Sequence, residues 1–215
     1  MRKNIFFLFT IAFFACKHHD KKTTIPGKES SGNIKDPVVN IPPEEKRIDS
    51  NLLFTTSTTI LTLIKNKNYD SLATYFHPTE GVRFAPYTFT DSSARILHGE
   101  EFKALAKSNK KISWGLGWLD EEDPDSILTV KQYFNRYVYD VDFLKAPHSF
   151  NQYTNAGTDI DNSQDFYPGA NTVHYFFDGF EKKYDGLDFR GLKLVYRLYQ
   201  GKPYLVGIIH NEWTP

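Results

Sequence analysis

The chain lacks most of the residues on which a simple assignment of chemistry would rest. Cys16 is its single cysteine in 215 residues, so no internal disulfide can form and the folded part holds no thiol nucleophile. There is no Gly-rich loop to cradle phosphate and no Gly-x-Ser-x-Gly elbow to expose a serine. The histidines of the domain (His77, His98, His148, His174 and His210) are scattered, with none at the i, i+4 spacing that sets two imidazoles on one helix face. Neither a metal nor another cofactor is therefore expected. An excess of charge is missing too, with 26 basic against 26 acidic residues. Loss of Arg2 and Lys3 with a leader would leave a slightly acidic chain, which gives no electrostatic case for nucleic acid or an anionic membrane surface. No repeat of domain-building length is present. The apolar run at residues 5–14 is too short to span a bilayer.

What that run does offer is an address. Arg2 and Lys3 form a basic start, residues 5–14 an apolar stretch, and Ala15 a small residue before Cys16. Phe13-Phe14-Ala15-Cys16 resembles the lipobox of a bacterial lipoprotein signal, with Phe13 in the usual Leu position. The resemblance implies cleavage before Cys16, lipid on its sulfur, and retention at the cell envelope, on the outer membrane facing the periplasm or the surface. A plain cleaved signal would leave Cys16 without a role. Residues 17–46 are rich in Lys, Ser, Thr, Gly and Pro and nearly free of large apolar side chains, which reads as a tether. Such a segment reaches roughly 30 Å as a coil and about 100 Å stretched. His18-His19 beside Asp20 belongs to this solvated run.

Residues 47–215 fit one domain, and an aromatic fraction of 16% suffices for a substantial core. Asp49 or Ser50 caps a helix with Leu53, Ser57, Ile60, Leu61 and Ile64 on one face. A short helix follows from Asp70 to the His77-Pro78 stop, where His77 complements the helix dipole. The spacing then predicts a strand at 82–87 with Arg83 facing away from Val82 and Phe84, and a short strand near Ile96. Next come a helix carrying Phe102, Leu105 and Ala106, and a strand at 111–118 in which Ile112, Trp114 and Leu116 alternate with small residues. Gly115 and Gly117 mark a bend or a close backbone approach there. Thr129 caps a helix burying Val130, Tyr133, Phe134 and Tyr137. A loop-rich connection (151–162), strands at 165–167 and 172–177, and a closing hairpin complete the chain.

That hairpin is the clearest pair of strands. Leu192, Leu194, Tyr196 and Leu198 alternate with Lys193, Val195, Arg197 and Tyr199, while residues 204–209 are apolar on both faces, as in an inner strand. Gln200-Gly201 lacks the Asn or Asp that a two-residue turn prefers, so a three-residue loop at 199–201 is expected. It would pair Leu198 with Lys202, Leu194 with Val206, Arg190 with His210, and Asp188 with Glu212, gathering four polar residues at the far end.

Helices first and antiparallel strands last is an α+β order. Leu61-Thr62-Leu63-Ile64-Lys65 with residues 69–77, and the final Gly201-Lys202-Pro203-Tyr204-Leu205-Val206-Gly207-Ile208, resemble the opening helices and last strand of the nuclear-transport-factor-2-like group. The resemblance covers residues 50–215, with 120–165 a larger insertion than simple members carry. It implies N-terminal helices packed in a curved, mostly antiparallel sheet, a cone opening into a pocket. Some relatives run acid–base catalysis there, and many only bind ligands or proteins. Residues 81–87 and 209–214 are also similar to uncharacterised bacterial exported proteins, which lend no catalytic assignment.

The candidate chemistry lies at the hairpin end. His210 and Glu212 are the candidate acid–base pair, and Arg190 could hold an anionic group on a ligand with Asp188 beside it. The same four residues could equally form a structural ion network. Trp114, with Trp118, Tyr87 and Trp213, lines a pocket or belongs to the core. Arg83 is either exposed or a buried partner for a carboxylate. His174 is a candidate base or a satisfied sheet histidine, and His148, in a loop, has no role. The leading expectation is an envelope protein binding a small ligand or protein partner; the alternative is a small acid–base enzyme, hydrolase or isomerase in type.

Overall fold

The computed structural model describes residues 48–115, 126–154 and 160–213, all within one compact unit, Pro43–Pro215. The anchor and tether expected at 1–46, and Leu116, Gly117 and Trp118, lie outside the described residues. The fold is α+β, built on a six-stranded sheet. Among the described residues no helix is long and apolar enough to cross a membrane.

Helix α1 (Ser50–Lys65) starts where the Asp49 carboxylate accepts from Asn51 N, and it buries Leu53, Ser57, Ile60, Leu61 and Ile64, the face its spacing predicts. Helix α2 (Tyr69–Leu72) tightens into a single 3-10 turn before His77. His77 is buried, and its Nδ1 accepts from Glu80 N, so it holds the following turn together. Helix α3 (Gly99–Lys107) buries Phe102, Leu105 and Ala106. Helix α4 (Val130–Tyr137) carries a full capping box between Thr129 and Gln132 and buries Val130, Tyr133, Phe134 and Tyr137.

The strands β1 (Val82–Ala85), β2 (Ile96–Leu97), β5 (His148–Phe150), β6 (Asn171–Phe177), β7 (Arg190–Tyr199) and β8 (Lys202–Glu212) form the main sheet in the order β2-β1-β8-β7-β6-β5. All neighbours are antiparallel except β1 and β8, which run parallel. The remaining pair, β3 (Ile112–Ser113) and β4 (Ile127–Leu128), makes a small ribbon. Among the described residues of the expected 111–118 strand only Ile112–Ser113 pair: Gly115 takes φ +61° with its Cα against the Ser93 carbonyl, where a side chain has no room. His148, expected in a loop, sits in β5.

Leu192, Leu194, Tyr196, Leu205 and Ile208 face the helices and join the main core; Val195, Val206 and Ile209 face the other way, with Ala85, Tyr167 and Ala170. Helix α5 (Ser163–Phe166) covers that second face, in place of the strand expected at 165–167. The Asp161 carboxylate accepts from Ser163 N and turns the chain into this short helix. Tyr167 then lies flat on β8 at Gly207, where a Cβ would meet its ring at 2.7 Å.

The hairpin corrects the expected register. Gln200 (φ 50°) and Gly201 (φ 77°) form a two-residue turn, closed by the pair Tyr199 and Lys202. Both left-handed residues match the twist of the flanking strands, which outweighs the strain on Gln. Tyr196 pairs with Leu205 but Val195 with Gly207, so Val206 is an extra residue, a bulge that sends its side chain to the second face. Turn and bulge together displace the far end by two residues from the expected pairing. The even displacement keeps residues 207–212 on their expected faces, whereas residues 202–206, displaced by one, change face: Leu205 joins the main core and Val206 the second face. Arg190 now opposes Glu212, Leu192 opposes His210, and Asp188 lies outside the ladder.

Candidate functional site at the end of the sheet

On the helix-facing side, the end row across β6, β7 and β8 consists of Phe177, Arg190 and Glu212, with His210 one pair further in. Two residues that follow or belong to α4 complete the group. Asp140 bridges His210 and Arg190: its Oδ1 lies 3.1 Å from His210 Nε2, and its Oδ2 accepts from Arg190 Nε at 2.7 Å. Arg136 reaches Glu212 Oε1 at 2.6 Å, and Arg190 is 3.6 Å from Glu212 Oε2. Arg190 is further fixed by donating to the Phe189 carbonyl at 2.8 Å.

Burial alone would raise the Asp140 pKa, but the hydrogen bond and charge of His210, then those of Arg190, bring it below the usual carboxylate value. An ionised Asp140 only accepts, so Nε2 of His210 carries the proton facing it. Nδ1 of His210 is buried without a partner. The hydrogen bond to Glu212 raises the Arg136 pKa, against a smaller effect of burial. Tyr87 and Tyr137 lie beside this pair: the Arg136 guanidinium covers the Tyr137 ring at 4.6 Å, and burial first, then Tyr137 and Glu212, push the Tyr87 phenol up.

Donor atoms of Asp140, His210 and Glu212 fall within 4.8 Å of one another, close enough for a metal ion. A guanidinium already engages each carboxylate, so a dication there would meet two fixed positive charges. The arrangement suits a different task. The carboxylates are the buried members, with side chains 6% (Glu212) and 15% (Asp140) exposed, while Arg190 is 27% and Arg136 50% exposed. The face turned to solvent is therefore cationic, over a floor that neutralises it.

Of the residues singled out in the sequence, Arg190, His210 and Glu212 come together here. The Asp188 carboxylate does not join them, since it accepts from Glu181 N in the preceding loop; only its backbone carbonyl takes a hydrogen bond from Arg190, at 3.4 Å. Trp114 is fully buried, stacked on Tyr133 at 3.8 Å with its Nε1 donating to the Leu128 carbonyl. Arg83 lies on the second face, donating to the Ser92 and Ala94 carbonyls beneath the Phe166 ring. Asp140 and Arg136 went unseen in the sequence. Arg136 sits on the helix that Thr129 opens, one residue before the buried Tyr137, so its place at the helix end was open to inspection.

A second polar group occupies the other face. Lys193, 4% exposed, pairs with Asp161, reaches Ser163 Oγ at 3.1 Å and sits over the Tyr153 ring at 4.3 Å. His174, beside it, accepts from Thr154 N, and its pKa falls to about 4 through burial and then the charge of Lys193. This group ties Tyr153, Thr154, Asp161 and Ser163 to the sheet. Comparison of the chain with family models, with curated proteins and with solved structures gives no match.

Proposed function

We propose that this chain is a lipid-anchored cell-envelope protein whose domain, a cone of the nuclear-transport-factor-2-like kind, binds a small anionic ligand at Arg136 and Arg190. The outward placement of these two guanidiniums above the buried carboxylates of Glu212 and Asp140 carries the reading. A planar guanidinium pair suits a carboxylate or phosphate, which it can hold with several parallel hydrogen bonds. The basic start, short apolar run and Cys16 support the anchor, and a mixed sheet packed on N-terminal helices supports the cone.

The test uses butyrate and inorganic phosphate as probes, followed by amide and arginine Nε–H shifts in NMR. Binding in the millimolar range, lost in Arg136→Ala and weakened in Arg190→Lys, is the expected result; shifts unchanged by either variant would overturn it. For the anchor, Cys16→Ser should abolish labelling by a fatty-acid probe and membrane retention, and equal labelling of both proteins would sink that part.

The acid–base enzyme remains a second reading, favoured by the Asp140–His210 contact. It requires His210 to meet a substrate, yet this imidazole is fully buried, so the binding reading is the stronger.

A further inference from the structure

The charges at the end of the sheet balance without a ligand. Arg136 and Arg190 bring two positive charges and the carboxylates of Asp140 and Glu212 two negative ones, while His210, with its proton on Nε2, is neutral. Nδ1 of His210 is the site of a further proton, and it is buried with no partner in a fully enclosed ring. The titratable and charged groups about this ring are Asp140 after α4, Arg136 and Tyr137 on α4, Arg190 on β7, Glu212 on β8 and Tyr87 after β1. On the side of β6, Leu192 separates His210 from Tyr175. Donor atoms of His210, Asp140 and Glu212 lie within 4.8 Å of one another. Each carboxylate is at present neutralised by a guanidinium, Glu212 at 2.6 Å and Asp140 at 2.7 Å. An anion docked on Arg136 and Arg190 draws on the same two guanidiniums. Both carboxylates then share their counter-charge with the ligand, and the group turns net negative in a half-buried place. The imidazole beside both carboxylates is placed to restore neutrality, and imidazole is the side chain that ordinarily charges nearest neutral pH. Without the anion, a second N–H in this enclosed position would be unpaired and the group net positive.

We infer that anion binding at Arg136 and Arg190 is coupled to protonation of His210: the ligand binds together with one proton from solvent, which adds to Nδ1, and the two are released together. The inference rests on the anion-binding reading above and adds the regulation of that site. His210 touches no ligand in this scheme; it acts as a buried counter-charge, held beside the carboxylates by Asp140. Affinity therefore rises toward acid pH. At an effective dielectric constant near 20, unit charges within about 10 Å of each other couple strongly enough to change affinity roughly tenfold.

The experiment titrates the full chain with methanesulfonate, which stays anionic from pH 5 to pH 8. Arginine Nε–H shifts report binding, and the ring-nitrogen shifts of His210 report its protonation. Affinity at pH 5 should exceed that at pH 8 by about tenfold or more. At a pH where the ring of the free protein is neutral, saturation with the probe should convert it to imidazolium. His210→Gln should bind with the same weak affinity at both pH values. The ring-nitrogen measurement needs only the native chain, so it decides the matter even where that variant fails to fold. Affinity independent of pH, with the His210 ring in one protonation state whether free or saturated, overturns the inference while the anion site stands. No arginine response at any pH overturns both. A pH dependence that persists in His210→Gln also overturns the inference, because a carboxylate would then be taking the proton.

Discussion

Asp140 and His210 are joined at 3.1 Å across 70 residues of sequence, and the second oxygen of the same carboxylate holds Arg190. One acidic side chain thus fixes both an imidazole and a guanidinium. Asp140→Ala should cost about 3 kcal/mol, because it leaves two buried or half-buried partners unpaired. The pKa of Asp140 is lowered on folding, so its contribution is complete above the unfolded value near 4 and disappears as the pH falls through the folded value. Urea denaturation at a series of pH values should show a steeper acid limb for the native chain than for Asp140→Asn. Parallel curves would mean that the carboxylate is no better held in the fold than outside it.

His174 gives a second, separate pH dependence. Its folded pKa of about 4 lies below the ordinary 6.5, so the unfolded chain binds the extra proton between these values. Stability from this residue is complete above pH 6.5 and falls by at most about 1.4 kcal/mol per pH unit as the pH drops toward 4. The imidazole carbon-bound protons of His174 should not titrate above pH 5 in NMR spectra, and His174→Gln should flatten this part of the stability curve. A midpoint near 6.5 would contradict the burial described for the ring.

Lys193 and Asp161 should behave as a unit. Lys193→Met alone strands the Asp161 carboxylate and should cost about 3–5 kcal/mol. Combined with Asp161→Asn, the loss should be well under the sum of the two single changes, since the pair is in direct contact. Additive losses in denaturant unfolding would show that Asp161 and Ser163 are held on the sheet by other means.

The turn offers a stabilising change. Gln200 holds φ 50°, a conformation that Asn adopts at less cost, so Gln200→Asn should add about 0.5 kcal/mol. Gly201→Ala, at φ 77°, should lose about 1 kcal/mol for the same reason. Thermal midpoints moving in opposite directions for the two variants would confirm the two-residue turn.

Periodicity made α1, α3 and α4 legible because each buries one stripe that repeats at helical spacing, and Thr129 and Asp49 mark their starts. Parity made the faces of β7 and of the far end of β8 legible for a similar reason, but not those of residues 202–206. Partners were not, because the turn depends on a strained Gln200 and the bulge on Val206, and neither leaves a trace in alternation. Asp140 escaped notice for a different cause. It lies beyond the end of α4 among Asp140-Val141-Asp142, where nothing in the order of residues tells which acid turns inward. Trp114 suggested a pocket by its size alone, and size is equally what fills a core. The segment at 165–167 is not the expected strand: Asp161 bends the chain into a helix there, and Gly207 leaves room for the Tyr167 ring instead of another ladder.

The parallel contact between β1 and β8 has a consequence for how the domain comes together. β8 is the common seam of two smaller assemblies, β2-β1 on one side and β7-β6-β5 on the other, and no other strand joins them. Arg83 and Gly207, neighbours across this seam, are more than a hundred residues apart along the chain. Closing so wide a loop is entropically costly and slow. The N-terminal helices and β1 therefore wait, with their apolar faces uncovered, for a strand synthesised long after them. A ribosome-bound chain cut short of residue 205 should remain accessible to chaperones and proteases until the seam is sealed.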